Sequence, residues 1–283
     1  MVKYEREKTL AAEKGGRKDY EMIPGLTIAF SIITLILALI FPIILAVWFC
    51  RRYQVKALAV VLGGLTFIVF QMIIRMPLLQ AINNAFPSLV PTTNALGPLL
   101  LYSAYMAITA ALFEEGGRFI FFKLFMKDRG DWQNAAAFGI GHGCAEAVLL
   151  VGVTYVFNIA LMFMINSGRL NALPQQLQQP IDAVRMQFVQ LPSYMFLITG
   201  IERLMTIPIH IALSILVVLG IVRKRQRYIW LAILIHFLLN FPLGYFSTLK
   251  YGLLVTYVFI GVFTAVSLVW IIKSRGLFNK KIF

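Results

Sequence analysis

Glu114-Glu115-Gly116-Gly117-Arg118 interrupts an apolar run from Pro98 to Met126 that is long enough to cross a bilayer. Two adjacent carboxyls and a guanidinium at that depth cost several kcal/mol unless paired, and charges kept there usually serve a function. The chain has only 12 Asp and Glu residues, and their distribution is uneven. Glu5, Glu7, Glu13, Asp19 and Glu21 belong to the N-terminal stretch, and Asp128, Asp131 and Asp182 to polar connections. Glu114, Glu115, Glu146 and Glu202 lie inside apolar segments, as do all three histidines, His142, His210 and His236. A carboxylate beside an imidazole in a poorly solvated pocket can take a proton from water and make it a nucleophile. A second histidine and an asparagine amide can hydrogen-bond the oxyanion that develops on a peptide carbonyl.

The spacing supports such a cluster. His142 with Glu146, and His236 with Asn240, are i,i+4 pairs, so each pair shares one helix face. Glu202, Thr206 and His210 continue the same rhythm. Arg118 is placed to hold one carboxylate of the Glu114-Glu115 pair ionised and leave the other as a base. Gly116 and Gly117 reduce bulk beside them. Taken alone, His210 reads as an interhelical hydrogen-bond partner, and Glu202 with Arg203 as a structural pair near the outer side. Gly139-x-Gly141-x-Gly143 has no preceding strand, so it reads as close helix packing and not as a nucleotide loop. Cys50 and Cys144 read as small buried thiols.

The elements that must position these groups follow from composition. A chain of 283 residues that is 60% hydrophobic and 13% charged, with mean hydropathy +0.81, is an all-α polytopic membrane protein with a bundle of about seven spans. The apolar runs are 23–50, 57–74, 98–126, 135–165, 191–222, 228–248 and 251–272. Pro42 is expected to kink the first, and Pro208 to break the ladder of the fifth. Residues 75–97 read as an irregular loop with a short amphipathic helix, and 166–190 as a loop ending in a surface helix. Residues 1–22 form a flexible polar tail, 23–273 a single transmembrane domain with its core at about 98–249, and 274–283 a basic tail.

The net charge of +14 does not point to nucleic acid, because the basic residues cluster at helix ends. Arg51, Arg52 and Lys56, then Lys123, Lys127 and Arg129, then Arg223, Lys224, Arg225 and Arg227 mark alternate ends. With the C-terminal basic residues they place that face, and the C-terminus, in the cytoplasm. Measured from it, His142 and His236 lie roughly 12 to 14 Å deep, and Glu114 and His210 roughly 20 Å. The four side chains therefore share one zone of the membrane.

Glu114-Glu115-x-x-Arg118, Phe138-x-x-x-His142 and His236-x-x-x-Asn240 together resemble the three-motif pattern of the CAAX prenyl endopeptidase and bacteriocin-processing (ABI) superfamily of glutamic intramembrane proteases. The run Gly141-His142-Gly143-Cys144-Ala145-Glu146-Ala147 and the segment from Glu202-Arg203 to His210 are most similar to its YhfC-like branch, related to PrsW-like proteases. The resemblance covers about 110–240. It implies an intramembrane endopeptidase acting on a membrane-embedded or membrane-proximal peptide, with Glu114 as base and His142 orienting water. His236 and Asn240 would form the oxyanion site, with Glu115 and Arg118 in support. Two residues separate Glu115 from Arg118 where the prenyl endopeptidases have three, which argues against a CAAX substrate. Asn240 stands where much of the YhfC-like branch has Asp. No cofactor is required by this scheme, and the site is expected to open toward the cytoplasmic half.

Glu146, His210 and Glu202 are additional to the motif and keep a zinc metalloprotease open, with His142, Glu146, His210 and His236 as ligands. A proton- or ion-coupled transporter uses similar buried chains, though no inverted hydropathy repeat accompanies them here. A non-catalytic subunit that binds helices in the same cavity is a third reading.

Overall fold

The computed structural model describes residues 22–93, 95–172 and 174–278. Among them the regular structure is entirely helical, and seven helices are long and apolar enough to cross a membrane. These are α1 (Gly25–Tyr53), α2 (Ala57–Ala85), α3 (Leu96–Phe125), α4 (Trp132–Asn166), α6 (Tyr194–Val222), α7 (Arg227–Phe246) and α8 (Gly252–Phe278). A turn at Leu243–Phe246 ends α7, and a surface helix, α5 (Gln175–Gln190), precedes α6. The predicted tail at 1–22 lies outside the described residues except for Met22, as do the last five residues of the tail predicted at 274–283. The remainder of that C-terminal stretch is helical, because α8 runs on to Phe278.

Helix α6 is the centre of the bundle. Of its most apolar stretch 72% is buried, against 11–28% in the other six spans. It packs on α1, α4, α7 and α8. Large apolar side chains on the perimeter, such as Leu101, Phe157, Leu254 and Ile272, point outward, as a lipid-facing surface requires. Trp48 and Trp230 lie exposed near helix ends that carry basic residues, consistent with interfacial anchoring.

The close approach of α4 to its neighbours depends on its glycines. A Cβ on Gly139 would come within 2.6 Å of Ile211 Cα on α6, and one on Gly143 within 3.2 Å of His210 Cβ. A Cβ on Gly141 would collide with the Val60 backbone of α2 on the opposite side. The glycine run thus lets α4 enter between α2 and α6. His142 is carried with it to a position that is 0% exposed.

Three spans contain π-helical segments: Ile36–Ile40, Phe67–Arg75 and Ala147–Gly152. The second corrects where the irregular loop expected from Arg75 begins, which is at Phe86. Pro77 falls in the first positions of the turn that follows the widened segment, where a missing N–H costs little. Helix α2 therefore continues to Ala85 and buries Arg75. The expected break at Pro208 is likewise absent, since α6 stays helical through it. Pro42 sits just after the first π segment, so the irregularity expected there is spread over the preceding turn.

Candidate active site

Glu114 and Glu115 lie mid-way along α3, where a full turn brings Arg118 back onto them. Arg118 pairs with Glu115 and also stands 3.6 Å from Glu114 Oε2. All three are buried. Removing one member of such a buried set typically costs about 3–5 kcal/mol. Gly117 permits the packing of Phe70, because a Cβ there would meet its ring at 2.6 Å; Gly116 faces open space.

Helix α4 brings His142 Nε2 to 3.1 Å from Glu114 Oε2. One turn on, Glu146 Oε2 lies 2.6 Å from His210 Nε2 of α6, and Glu146 Oε1 accepts from Arg203 at 2.7 Å. The other nitrogen of His210, Nδ1, is 2.8 Å from Arg118 Nη2. A guanidinium only donates, so Nδ1 must accept and the neutral ring carries its proton on Nε2, donated to Glu146. His210, expected as an interhelical partner or, in the zinc alternative, as a ligand, thus links Arg118 of α3 to Glu146 of α4.

His236 of α7 approaches from the other side. Its Nδ1 is 2.7 Å from Glu115 Oε1, and its Nε2 is 4.0 Å from Glu114 Oε1. Because Glu115 is also held by Arg118, Nδ1–H donates to it and Nε2 is turned toward Glu114. Asn240, one turn further along α7, reaches the same cavity wall. Glu202 and Arg203 form the ion pair read from sequence, and Tyr257 of α8 donates to Glu202 at 3.1 Å.

The cavity encloses about 560 Å³. Glu114, Glu146, His210 and His236 form its floor, and Met106, Ser103 and Leu99 continue the α3 wall toward that helix's first residues. On α7 the wall runs from His236 through Asn240 to Ser247. Helices α2, α3, α4, α6, α7 and α8 thus contribute residues between the level of the glutamates and the helix ends remote from the basic turns. The expected opening toward the basic face is corrected accordingly: the side chains of the floor are nearer that face, but the space above them lies on the other side.

One subset has the chemistry of a metal centre. Glu114, His142, Glu146 and His210 each place a ligand atom so that the four lie within 4.8 Å of one another. Two imidazoles and two carboxylates are a donor set suited to zinc. The set predicted from sequence included His236; the structure has Glu114 in that place, with His236 engaged by Glu115.

Two residues of the site were not singled out by sequence reading. Tyr257 lies in an apolar run, where a lone hydroxyl carries no signal. Arg75 had one: with Gln71 it forms an i,i+4 polar pair, and Arg75 Nη1 donates to Gln71 Oε1 at 3.1 Å.

Fold and site together define a multi-pass helical membrane protein with a carboxylate–histidine cluster enclosed in its bundle. A family model described as YhfC intramembrane metalloprotease matches residues 36–264, so the chain belongs to the YhfC family. The Bacillus subtilis (strain 168) protein named "Uncharacterized membrane protein YhfC" is 31% identical over 266 residues, covering 91% of this chain and all of that one. No solved structure matches.

Proposed function

We propose that this protein is a zinc-dependent intramembrane protease that hydrolyses a peptide bond of a membrane-embedded or membrane-proximal substrate bound in the cavity. The observation that carries the proposal is the convergence of Glu114, His142, Glu146 and His210 within 4.8 Å, three of them on the cavity floor and His142 buried behind it. The family description supports the same reading. It reverses the order suggested by the three motifs, which ranked a metal-free glutamic mechanism first.

His142, Glu146 and His210 would hold the ion, leaving Glu114 free to act as base. A zinc ion there supplies a Lewis acid for a peptide carbonyl and acidifies water. To serve as a ligand through Nε2, the neutral His210 ring would carry its proton on Nδ1 instead, which means giving up the contact with Arg118. Arg203, by donating to Glu146 Oε1, fixes which oxygen faces His210. Glu114 takes a proton from the attacking water and returns it to the leaving amine. His236, whose Nδ1–H is held by Glu115, would hydrogen-bond the carbonyl oxygen as it gains charge when Nε2 is also protonated, and the Asn240 amide on the same cavity wall would be the second donor.

Arg118 keeps Glu115 paired, so that Glu114 is the carboxylate left for proton transfer. Apolar residues such as Met106, Leu239 and Ile260 limit water to the cavity and match an apolar peptide segment. The basic turns are assigned to the cytoplasm, which puts the C-terminus inside and directs the cavity toward the opposite face.

Cleavage of a transmembrane peptide by the protein in nanodiscs tests the proposal. Chelation should abolish cleavage and added zinc restore it. The specific contact between Glu114 and His142 also supports a second reading, the metal-free glutamic scheme. Full cleavage by protein shown to be free of metal would select that scheme over ours.

A further inference from the structure

Arg75 is 4% exposed, and among the described residues no carboxylate lies within ion-pair distance of it; Glu114 acts on it only from farther off. Arg118 and Arg203, by contrast, each reach two glutamates. Arg75 donates to neutral acceptors: Nε to Thr109 Oγ1 at 3.2 Å, Nη1 to Gln71 Oε1 at 3.1 Å, and Nη2 to the Met106 carbonyl at 2.8 Å. These use three of about five N–H groups that a guanidinium offers. The side chain also forms part of the cavity wall. A glutamine or asparagine could tie α2 to α3 through neutral acceptors without placing a full charge inside the bundle, where charge is costly.

Its height relative to the floor is informative. Thr109 precedes Glu114 by five residues on α3, which sets the guanidinium roughly 7 Å along the axis from the level of Glu114. An extended peptide rises about 3.3 Å per residue, so a group facing Arg75 is about two residues from a bond held at the floor. The cavity continues past Arg75 to Ser103 and Leu99, leaving room for chain on its far side.

We propose that Arg75 is a specificity-determining residue that binds a carboxylate of the peptide in the cavity, about two residues from the bond cleaved. The carboxylate comes from an acidic side chain or from the peptide's own C-terminus. The inference rests on the reading of the cavity as a peptide site, but binding can be measured without turnover.

The test uses the full chain in nanodiscs and three fluorescent apolar peptides of equal length. One carries a single internal glutamate and an amidated end, one has no acid but a free C-terminal carboxylate, and one has neither. At least one acid-bearing peptide should bind roughly tenfold tighter than the neutral one, the scale of a hydrogen-bonded charge pair. Arg75→Gln should erase that preference, bringing the acid-bearing and neutral peptides to the same Kd, while Arg75→Lys should retain part of it. Which acid-bearing peptide gains identifies the source of the carboxylate. Equal binding of all three, no binding, a preference that survives Arg75→Gln, or equal weakening of all three would overturn the proposal. A preference dependent on Arg75 in a protein that cleaves nothing would overturn the protease reading and leave this one standing.

Discussion

Glu114 and Glu115 are neighbours in sequence with different surroundings. Glu115 is enclosed by Arg118 and His236, whereas Glu114 meets His142 and borders the cavity. Glu114→Gln should therefore retain bound zinc and lose at least about a hundredfold in kcat, the lower range for a general base. Loss of zinc in this variant, measured by metal analysis, would make Glu114 a ligand. Glu115→Gln leaves Arg118 without its closest partner and should destabilise the protein by about 3 kcal/mol or more, read from thermal unfolding in detergent. An unchanged Tm would remove Glu115 from the structural role assigned here. The site was legible at this scale because ionisable groups are scarce in the spans, and four glutamates and three histidines stand out there. The contact of His210 with Arg118 was not, because the two are 92 residues apart and only the packing of α6 on α3 brings them together.

At the scale of elements, the glycines of α4 set how near the helices come. Gly141→Val should fail to assemble or unfold far more readily, since its side chain would occupy the position of the Val60 backbone. Gly116→Ala, facing open space on α3, should change stability by no more than about 1 kcal/mol. Comparable losses in both variants would contradict the packing described. The seven spans were readable from hydropathy, and the glycine run from its spacing. The course of α2 was not, because a proline two residues after an arginine normally signals a helix end, and the π-helical register that absorbs it leaves no composition signal.

For the whole molecule the informative asymmetry is between the basic face and the cavity. Ser247 is exposed and lines the cavity at the end remote from the basic turns, whereas Gln54 lies in one of those turns. In a Cys50→Ser background, Ser247→Cys should react with a membrane-impermeant maleimide applied to intact cells, and Gln54→Cys only after lysis. The reverse pattern would invert the assignment. Charge counting gave the two faces of the bundle, but the direction of the cavity depends on gaps between helices far apart in sequence. No local pattern encodes such gaps.

The most direct measurement is the zinc content of the purified, folded protein and of His142→Ala, His210→Ala and Glu146→Gln variants that retain its thermal unfolding profile. The account predicts about one zinc per chain in the parent protein and its loss in each variant. A parent protein that carries no zinc and takes up none on titration would contradict it.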